Sequence, residues 1–246
     1  MKAVVCIAPL FWTIMVFGQV SPQFEVASIK PNNSGSGYSR SSSQPNGGYI
    51  ATNVTLRGLV LSAYSVRLFQ VIGGPAWIES DRFDIVAKAP ENSTEERYPS
   101  MLQALLAQRF KFAAHLQTQE QPIYAIVQAR RDGVLGPQLK RSPQECSKPA
   151  MQTSYTSAGG RIRGICTALP ALAASLFGVV NRMVFDRSGL TGAFDFELQW
   201  TSEATQLTDT PSLFTAIQEQ LGLRLESSRG PVEMLVIETV ERPSPN

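Results

Sequence analysis

The sequence contains very little histidine: His115 is the only one in the 246 residues. A Ser-His-Asp or Cys-His catalytic arrangement would therefore have to use this residue. The sequence also has no Gly-x-Ser-x-Gly elbow, and no lysine has a serine three residues before it. His115 lies in a stretch with strand-like alternation, and we interpret it as a structural or surface histidine. The sequence thus predicts no catalytic residue.

Metal-binding and phosphate-binding patterns are absent as well. Cys6, Cys146 and Cys166 are the three cysteines, and together with His115 they show no Cys-x-x-Cys or His-x-x-x-His spacing. We therefore predict no metal site. The glycine-rich stretches lack the lysine or the helix entry of a phosphate-binding loop, so no cofactor is predicted. The 22 basic and 20 acidic residues nearly balance and form no run of one sign, which argues against a nucleic-acid partner.

Long apolar runs are missing except at the amino terminus. Met1-Lys2 precedes a mostly apolar run that ends at Phe17, and polar residues follow. This order is typical of a secretory signal peptide, and the run is shorter than a membrane-spanning helix. We predict a signal peptide over residues 1–18 with cleavage after Gly18; an uncleaved membrane anchor is the alternative. The remaining chain is expected to be exported to the periplasm or the extracellular space, without a membrane span.

Export would leave only two cysteines. Cys6 lies within the predicted signal peptide, and its removal leaves Cys146 and Cys166 in a compartment where disulfides persist. We predict that these two residues form a disulfide; two unrelated buried thiols are the alternative. Closing a loop of roughly 20 residues would stabilise the fold by about 3 kcal/mol in the chain-entropy model.

Two halves of the chain resemble each other. Residues 47–50, Gly-Gly-Tyr-Ile, match residues 159–162, Gly-Gly-Arg-Ile, and further matches follow in the same order, about 112 residues apart. We predict an internal duplication with repeats at residues 24–130 and 131–242. The two repeats are expected to superpose about a pseudo-two-fold axis and to pack on each other.

The sequence pattern predicts an α+β fold with mostly antiparallel sheets. Within each repeat the expected order of elements is helix, strand, strand, helix, strand, strand. Apolar residues at helical spacing predict the helices, which cover residues 55–64, 100–108, 167–176 and 212–221. Thr55 and Thr167 are the expected caps of the first helix in each repeat. The last two strands of each repeat are expected as hairpins, formed by residues 110–115 with 123–128 and by residues 223–227 with 233–239. Two further segments, residues 32–48 and 142–158, have few large apolar residues and are interpreted as solvated loops, with a binding loop as the alternative.

A short motif near residue 75 is the candidate binding site. Gly73, Gly74 and Pro75 favour a sharp turn that presents Trp77, a large aromatic side chain with one N–H donor. Trp77 would anchor a peptide, a glycan or a partner protein. The alternative is that Trp77 packs in the core, because tryptophan is on average highly buried.

Asp186 stands in a sequence that partly matches the active-site motif of aspartic proteases. An arginine separates Asp186 from Ser188, however, and the first repeat has no partner motif with which a proton could be shared. We interpret the segment as a turn in which Asp186 accepts backbone hydrogen bonds and Gly189 and Gly192 adopt positive φ.

Several blocks of the sequence resemble a known family. The blocks are Phe24-Glu-Val-Ala-Ser-Ile-Lys-Pro31, Gly73-Gly-Pro-Ala-Trp77, Phe83-Asp-Ile-Val-Ala-Lys88, Leu105-Leu-Ala-Gln-Arg-Phe110, Asp186-Arg-Ser-Gly-Leu-Thr-Gly192 and Gln220-Leu-Gly-Leu223. They are similar to signature blocks of the soil-associated exported proteins of unknown function, which abound in soil acidobacteria. A similar domain is fused to antibiotic-sensor-type membrane metallopeptidases. The resemblance covers nearly the whole chain after the signal peptide and implies no activity, ligand or catalytic residue.

The function predicted from the sequence is that of a non-enzymatic binding or interaction module, located in the envelope or outside the cell. The chain lacks a recognisable catalytic set, and its helix–strand–strand pieces are similar to the small βαββ modules of secretins and outer-membrane receptors, which act in protein contacts. The expected partner is an envelope protein or a cell-surface polymer. A hydrolase that uses dispersed carboxylates is the alternative.

Overall fold

A computed structural model describes residues 22–44, 48–91, 93–130, 132–143, 146, 148–201 and 210–243. The predicted signal peptide at residues 1–18, its cleavage site after Gly18, and Cys6 lie outside the described residues. Within them the protein is an α+β fold with mostly antiparallel sheets, which confirms the predicted class.

The described helices are short, and the described strands differ widely in length. The helices are α1 Leu56–Tyr64, α2 Trp77–Ser80, α3 Tyr98–Phe110, α4 Leu169–Val180 and α5 Leu213–Leu221. The strands are β1 Val26–Pro31, β2 Arg40–Ser43, β3 Gly48–Thr55, β4 Val71–Ile72, β5 Arg82–Lys88, β6 Ala113–Gln128, β7 Leu139–Arg141, β8 Ala150–Thr156, β9 Gly159–Thr167, β10 Val184–Asp186, β11 Phe194–Thr201 and β12 Leu223–Thr239.

The chain divides into two compact units. The first unit contains the residues up to 116 together with those from 235 onward, and the second contains residues 117–234. Both divisions fall inside a long strand, one in β6 and the other in β12. The predicted repeats at residues 24–130 and 131–242 divide the chain at other points, and the duplication itself stays a prediction.

The hairpins predicted at the end of each repeat are wrong, because β6 and β12 are each one continuous strand. Pro122 and Pro231, where a turn was expected, stand within the strands. Proline lacks an N–H and is tolerated in a strand where that N–H would meet no neighbour. In a third sheet β6 lies between β10 and β12, and β12 lies between β6 and β4. The parallel partner β10 pairs only with residues 124–126 of β6, and the parallel partner β4 pairs only with residues 235–236 of β12, so neither of these two strands pairs with a proline.

The first unit is built on an antiparallel sheet with the strand order β1-β5-β3-β2. Its core contains the apolar faces of α1 and α3 and the inward residues of β5. Phe83 of β5 meets Phe110 of α3 edge to face, with ring centroids 5.4 Å apart. The predicted buried stripe of α3 is confirmed, since Met101, Leu105 and their helical neighbours are at most 4% exposed.

The second unit is built on an antiparallel sheet with the strand order β7-β11-β9-β8. Its core joins β11 to α4 and α5, through Phe194 and Leu198 of the strand and Leu172, Leu176 and Ile217 of the helices. Burial alternates along β11, so one face of the strand packs inward and the other is more exposed.

The interpretation of residues 32–48 and 142–158 as loops is wrong in part. Each segment contains an edge strand, β2 in the first and β8 in the second. Every residue of β8 is exposed, so the strand carries no alternation of apolar and polar residues to predict it. The adjacent strands β3 and β9 were also not predicted, because polar or glycine residues at several positions interrupt their apolar pattern.

Each antiparallel sheet contains a bulge held by an aspartate. Asn53 in β3 and Cys166 in β9 adopt a φ of 55°, where the register to the next strand shifts. The backbone N–H of Asn53 donates to Asp84 Oδ1 at 2.9 Å, and that of Cys166 donates to Asp195 Oδ1 at 2.8 Å. Cys166 also forms the predicted disulfide with Cys146, and their Cα atoms are 5.6 Å apart.

The predicted cap is confirmed at α1 and wrong at α4. The Thr55 side chain accepts a hydrogen bond from the N–H of Gly58 at 3.0 Å and caps α1. The cap residue of α4 is Ala168 rather than Thr167, whose hydroxyl lies within hydrogen-bonding distance of the Ile165 and Ala150 carbonyls. Gly222 ends α5 in the left-handed region, with a φ of 68°.

Candidate binding cleft

The second unit contains an open cleft of about 640 Å³. It lies where the tip of the β8–β9 hairpin, the carboxyl end of α4, the end of β11 and the start of α5 come together, with Tyr124 of β6 at its side. The volume falls within the range of about 300–1,000 Å³ that is common for small-molecule sites.

Aromatic side chains from four elements line the cleft. Tyr155 and Phe214 are 47% and 43% exposed, whereas Trp200 is 5% exposed and belongs to the core. Tyr124 meets Phe214 edge to face, with ring centroids 5.6 Å apart. The Arg182 guanidinium carbon lies 4.7 Å from the centroid of the Tyr124 ring. These contacts fix the orientation of Tyr124 and leave two ring surfaces open to a ligand.

Glycines make room for these rings. A Cβ at Gly160 would lie 2.5 Å from Cζ2 of Trp200 and 2.5 Å from Cβ of Tyr155. A Cβ at Gly178 of α4 would collide with the Tyr155 hydroxyl. The Tyr155 and Trp200 side chains therefore fit beside β9 and α4 only because no side chain occupies these two positions.

The ends of two helices supply backbone polar groups to the cleft. Asn181, in the left-handed region, donates its N–H to the Phe177 carbonyl at 2.8 Å, and the carbonyls after Phe177 in α4 have no partner within the helix. The first N–H groups of α5 likewise have no partner within their helix, and Ser212 makes no side-chain cap. The cleft thus offers both acceptors and donors.

The described lining of the cleft carries no charge. It consists of aromatic, aliphatic, glycine, serine and threonine residues, and no aspartate, glutamate, lysine, arginine or histidine is among them. The described lining therefore presents aromatic and aliphatic surfaces together with neutral hydroxyl groups.

The residues predicted as a binding motif lie elsewhere, in the first unit. Gly73 and Gly74 adopt φ values of 83° and 88°, which forms the expected turn, and Trp77 begins α2. The Trp77 ring packs partly buried against the core, with the Arg242 guanidinium carbon 5.0 Å from its centroid. A binding role for Gly73, Gly74, Pro75 and Trp77 stays a prediction.

Asp186 and His115, the two residues that were considered as catalytic candidates, make local contacts with neighbouring residues. Asp186 Oδ1 accepts the Ser188 N–H at 2.9 Å, and Gly189 and Gly192 have positive φ, which confirms the predicted turn. His115 is exposed and lies on β6, with Nδ1 2.7 Å from Glu238 Oε1.

Sequence analysis did not identify the residues of the cleft. One signal was available at Phe214, which lies next to the buried stripe of α5 rather than on it, so an exposed aromatic ring could be expected there. Tyr155 lies in a segment interpreted as a loop, and nothing local relates it to α4 or α5.

Comparison with known proteins identifies a family but no characterised relative. The family model described as "Protein of unknown function (DUF3738)" matches residues 57–240. No curated protein and no solved structure matches the chain. Among the described residues, no helix is both long and apolar enough to cross a membrane.

Proposed function

Because the chain belongs to the DUF3738 family, whose function is unknown, its own cleft has to carry the functional argument, and we propose a non-enzymatic binding module for a neutral saccharide. The observation that carries the proposal is the uncharged cleft with the exposed rings of Tyr155 and Phe214. A cell-surface polymer is the corresponding natural ligand.

The chemistry of a sugar fits this lining on two counts. One face of a pyranose ring presents C–H groups, which pack on the exposed faces of tyrosine and phenylalanine rings. Its hydroxyl groups both donate and accept hydrogen bonds, so they need donors and acceptors together. The last carbonyls of α4 and the first N–H groups of α5 provide both, beside the Ser157 hydroxyl. The Thr201 hydroxyl, which donates to the Thr210 carbonyl, can still accept a hydrogen bond.

Hydrolysis of the bound saccharide is not favoured by the lining of the cleft. Glycoside hydrolysis canonically uses two carboxyl groups, one as acid and one as base or nucleophile. The described lining contains neither aspartate nor glutamate. Binding without cleavage therefore accounts for the site better than the alternative of a hydrolase with dispersed carboxylates.

The setting we propose for this module is the periplasm or the extracellular space. The disulfide between Cys146 and Cys166 supports it, because structural disulfides persist in oxidising compartments. The resemblance to exported soil-associated proteins, and to the domain fused to membrane metallopeptidases, supports it further. N-terminal sequencing of protein recovered from outside the cytoplasm is expected to begin at Gln19. A chain that still begins at Met1 would contradict cleavage.

Binding is tested with neutral oligosaccharides released by mild hydrolysis from the surface polymers of the producing cells. Titration is followed by calorimetry and by tryptophan fluorescence, since Trp200 lies in the cleft. Tyr155→Ala and Phe214→Ala are each expected to weaken binding about five- to thirtyfold, because each removes an exposed stacking surface worth about 1–2 kcal/mol.

The matched control is Tyr38→Ala. Tyr38 is 73% exposed in the first unit and contributes nothing to the cleft, so its removal should leave the affinity unchanged. Equal loss of binding in Tyr38→Ala and Tyr155→Ala would contradict the assignment of the cleft. Binding that survives both cleft variants, or release of shorter oligosaccharides on incubation, would contradict the proposed function.

A further inference from the structure

The edges of the two antiparallel sheets differ in how they are protected from pairing with another chain. β1 ends with Lys30 and Pro31, β2 has four residues and begins with Arg40, and β7 has three residues, two of them basic. Charges, prolines and short length are the usual means by which edge strands avoid association. Three of the four edge strands are therefore protected from pairing with another chain.

β8 is the fourth edge and has none of these features. Its seven residues read Ala-Met-Gln-Thr-Ser-Tyr-Thr, without charge or proline, and all seven are exposed. Met151 and Tyr155 are 40% and 47% exposed. β8 pairs with β9 on one side and is the last strand in its sheet, so its other side meets no described strand.

The backbone groups that point away from β9 belong to alternate residues. A two-residue turn joins Thr156 to Gly159, which makes this pair and every second pair along the hairpin hydrogen-bonded. The hydrogen bonds of β11 agree with this alternation. The Glu197 N–H donates to the Gln138 carbonyl on the side of β11 that faces away from β9. Hence Met151, Thr153 and Tyr155 direct their N–H and C=O groups outward.

The sequence of β8 is self-complementary about its central residue. If two copies pair antiparallel with Thr153 opposite Thr153, each Met151 lies opposite the Tyr155 of the other copy. All three of these pairs join outward-directed residues, which gives about six new backbone hydrogen bonds. Methionine–aromatic and threonine–threonine pairs across strands are favourable, and no like charges meet because the strand has none.

We propose that β8 is a homodimer interface, through which two copies of this chain join their sheets into one eight-stranded antiparallel sheet. The partner is a second copy because the register that pairs all outward groups is symmetric. The interface shares Tyr155 with the cleft proposed to bind the saccharide. Thr153, at the centre of the interface, does not line the cleft, so substitutions at Thr153 test the interface separately.

The test is analytical ultracentrifugation of the purified chain from about 1 to 100 µM, with substitutions at Thr153. Wild type is expected to sediment with twice the mass of the chain. Thr153→Lys and Thr153→Glu each place like charges opposite one another and should weaken dimerisation at least tenfold. An equimolar mixture of the two variants should restore the dimer, because lysine then faces glutamate. Thr153→Val is the matched control and should remain dimeric.

A cross-linking measurement covers the case in which the charged variants do not fold. In the proposed register two Thr153 Cα atoms lie about 5.5 Å apart, within reach of a disulfide, whereas two Ala150 Cα atoms lie about 20 Å apart. Oxidation should therefore link Thr153→Cys but not Ala150→Cys. A monomeric wild type would overturn the proposal. An extended segment of another protein would then be the candidate partner for β8. Folded Thr153→Lys that dimerises like wild type, a mixture that stays monomeric, or equal cross-linking of both cysteine variants would also overturn it.

Discussion

At the scale of single residues, Asp195 joins three segments of the second unit. Its Oδ1 accepts the Ser142 hydroxyl at 2.6 Å and the backbone N–H of Cys166 at 2.8 Å. The hydrogen bond from Ser142, followed by that from Cys166, lowers the pKa of the Asp195 carboxyl below its ordinary value of 3.8, against a smaller opposing effect of burial. The charged carboxylate thus stabilises the bulge that contains the disulfide.

The substitution Asp195→Asn tests this role. A carboxyl whose pKa is lower in the folded state stabilises the fold fully above about pH 3.8, and this contribution disappears as the pH falls through the folded pKa. We expect Asp195→Asn to lower the free energy of unfolding by about 1 kcal/mol at pH 7. The difference from wild type should shrink below pH 3.8, as measured by urea unfolding at several pH values.

Glu219→Gln is the control for this experiment, because Glu219 is exposed on α5. It should change the free energy of unfolding at pH 7 by no more than a few tenths of a kcal/mol. If Asp195→Asn and wild type differ by the same amount at pH 7 and pH 3, the carboxylate does not have the role assigned to it.

At the scale of the elements, the starts of α1 and α4 show how similar sequences are capped differently. Thr55 satisfies the N–H of Gly58, whereas Thr167 directs its hydroxyl to backbone carbonyls near the end of β9. The difference follows from position: Thr55 is directly before the first helical residue, while Ala168 stands between Thr167 and α4.

Substitutions at Thr55 measure the value of the cap. Thr55→Ala is expected to lower the free energy of unfolding by about 1 kcal/mol, since the N–H of Gly58 loses its acceptor. Thr55→Ser keeps a hydroxyl at the cap and should stay within a few tenths of a kcal/mol of wild type. Chemical denaturation of the three proteins provides the measurement. Equal stability of Thr55→Ala and Thr55→Ser would show that the hydrogen bond does not stabilise α1.

At the scale of the whole molecule, β6 and β12 each contribute residues to both compact units. Unfolding either unit removes part of a strand from the other, so we expect one cooperative thermal transition. Scanning calorimetry should give a calorimetric enthalpy equal to the van't Hoff enthalpy. Two well-separated transitions would contradict cooperative unfolding but would leave the duplication untouched.

The predicted duplication is a separate expectation at the same scale. Its support lies in the two antiparallel sheets, β1-β5-β3-β2 and β7-β11-β9-β8, which share strand order and an aspartate-held bulge. We expect an experimental structure in which a single rotation overlays α1 on α4 and α3 on α5. Helix pairs that need two different rotations would contradict the duplication.

The features that the sequence determined by itself were mostly local elements of structure. Helical periodicity predicted α1, α3, α4 and α5, and the Asp186 turn was recognisable from its residues. The disulfide followed from the cysteine count and the expected compartment. These features depend on neighbours within a few residues, where sequence pattern and structure are directly linked.

The tertiary structure alone decided the features that depend on distant partners. β8 is a strand because β9 pairs with it, although its own exposed residues show no strand pattern. β6 and β12 are continuous through their prolines, and their parallel partners β10 and β4 do not reach these residues. The cleft exists because Tyr124, Tyr155, Trp200 and Phe214, from four separate elements, converge on one space. Backbone pairing and side-chain packing between distant segments set these positions, and no local pattern encodes them.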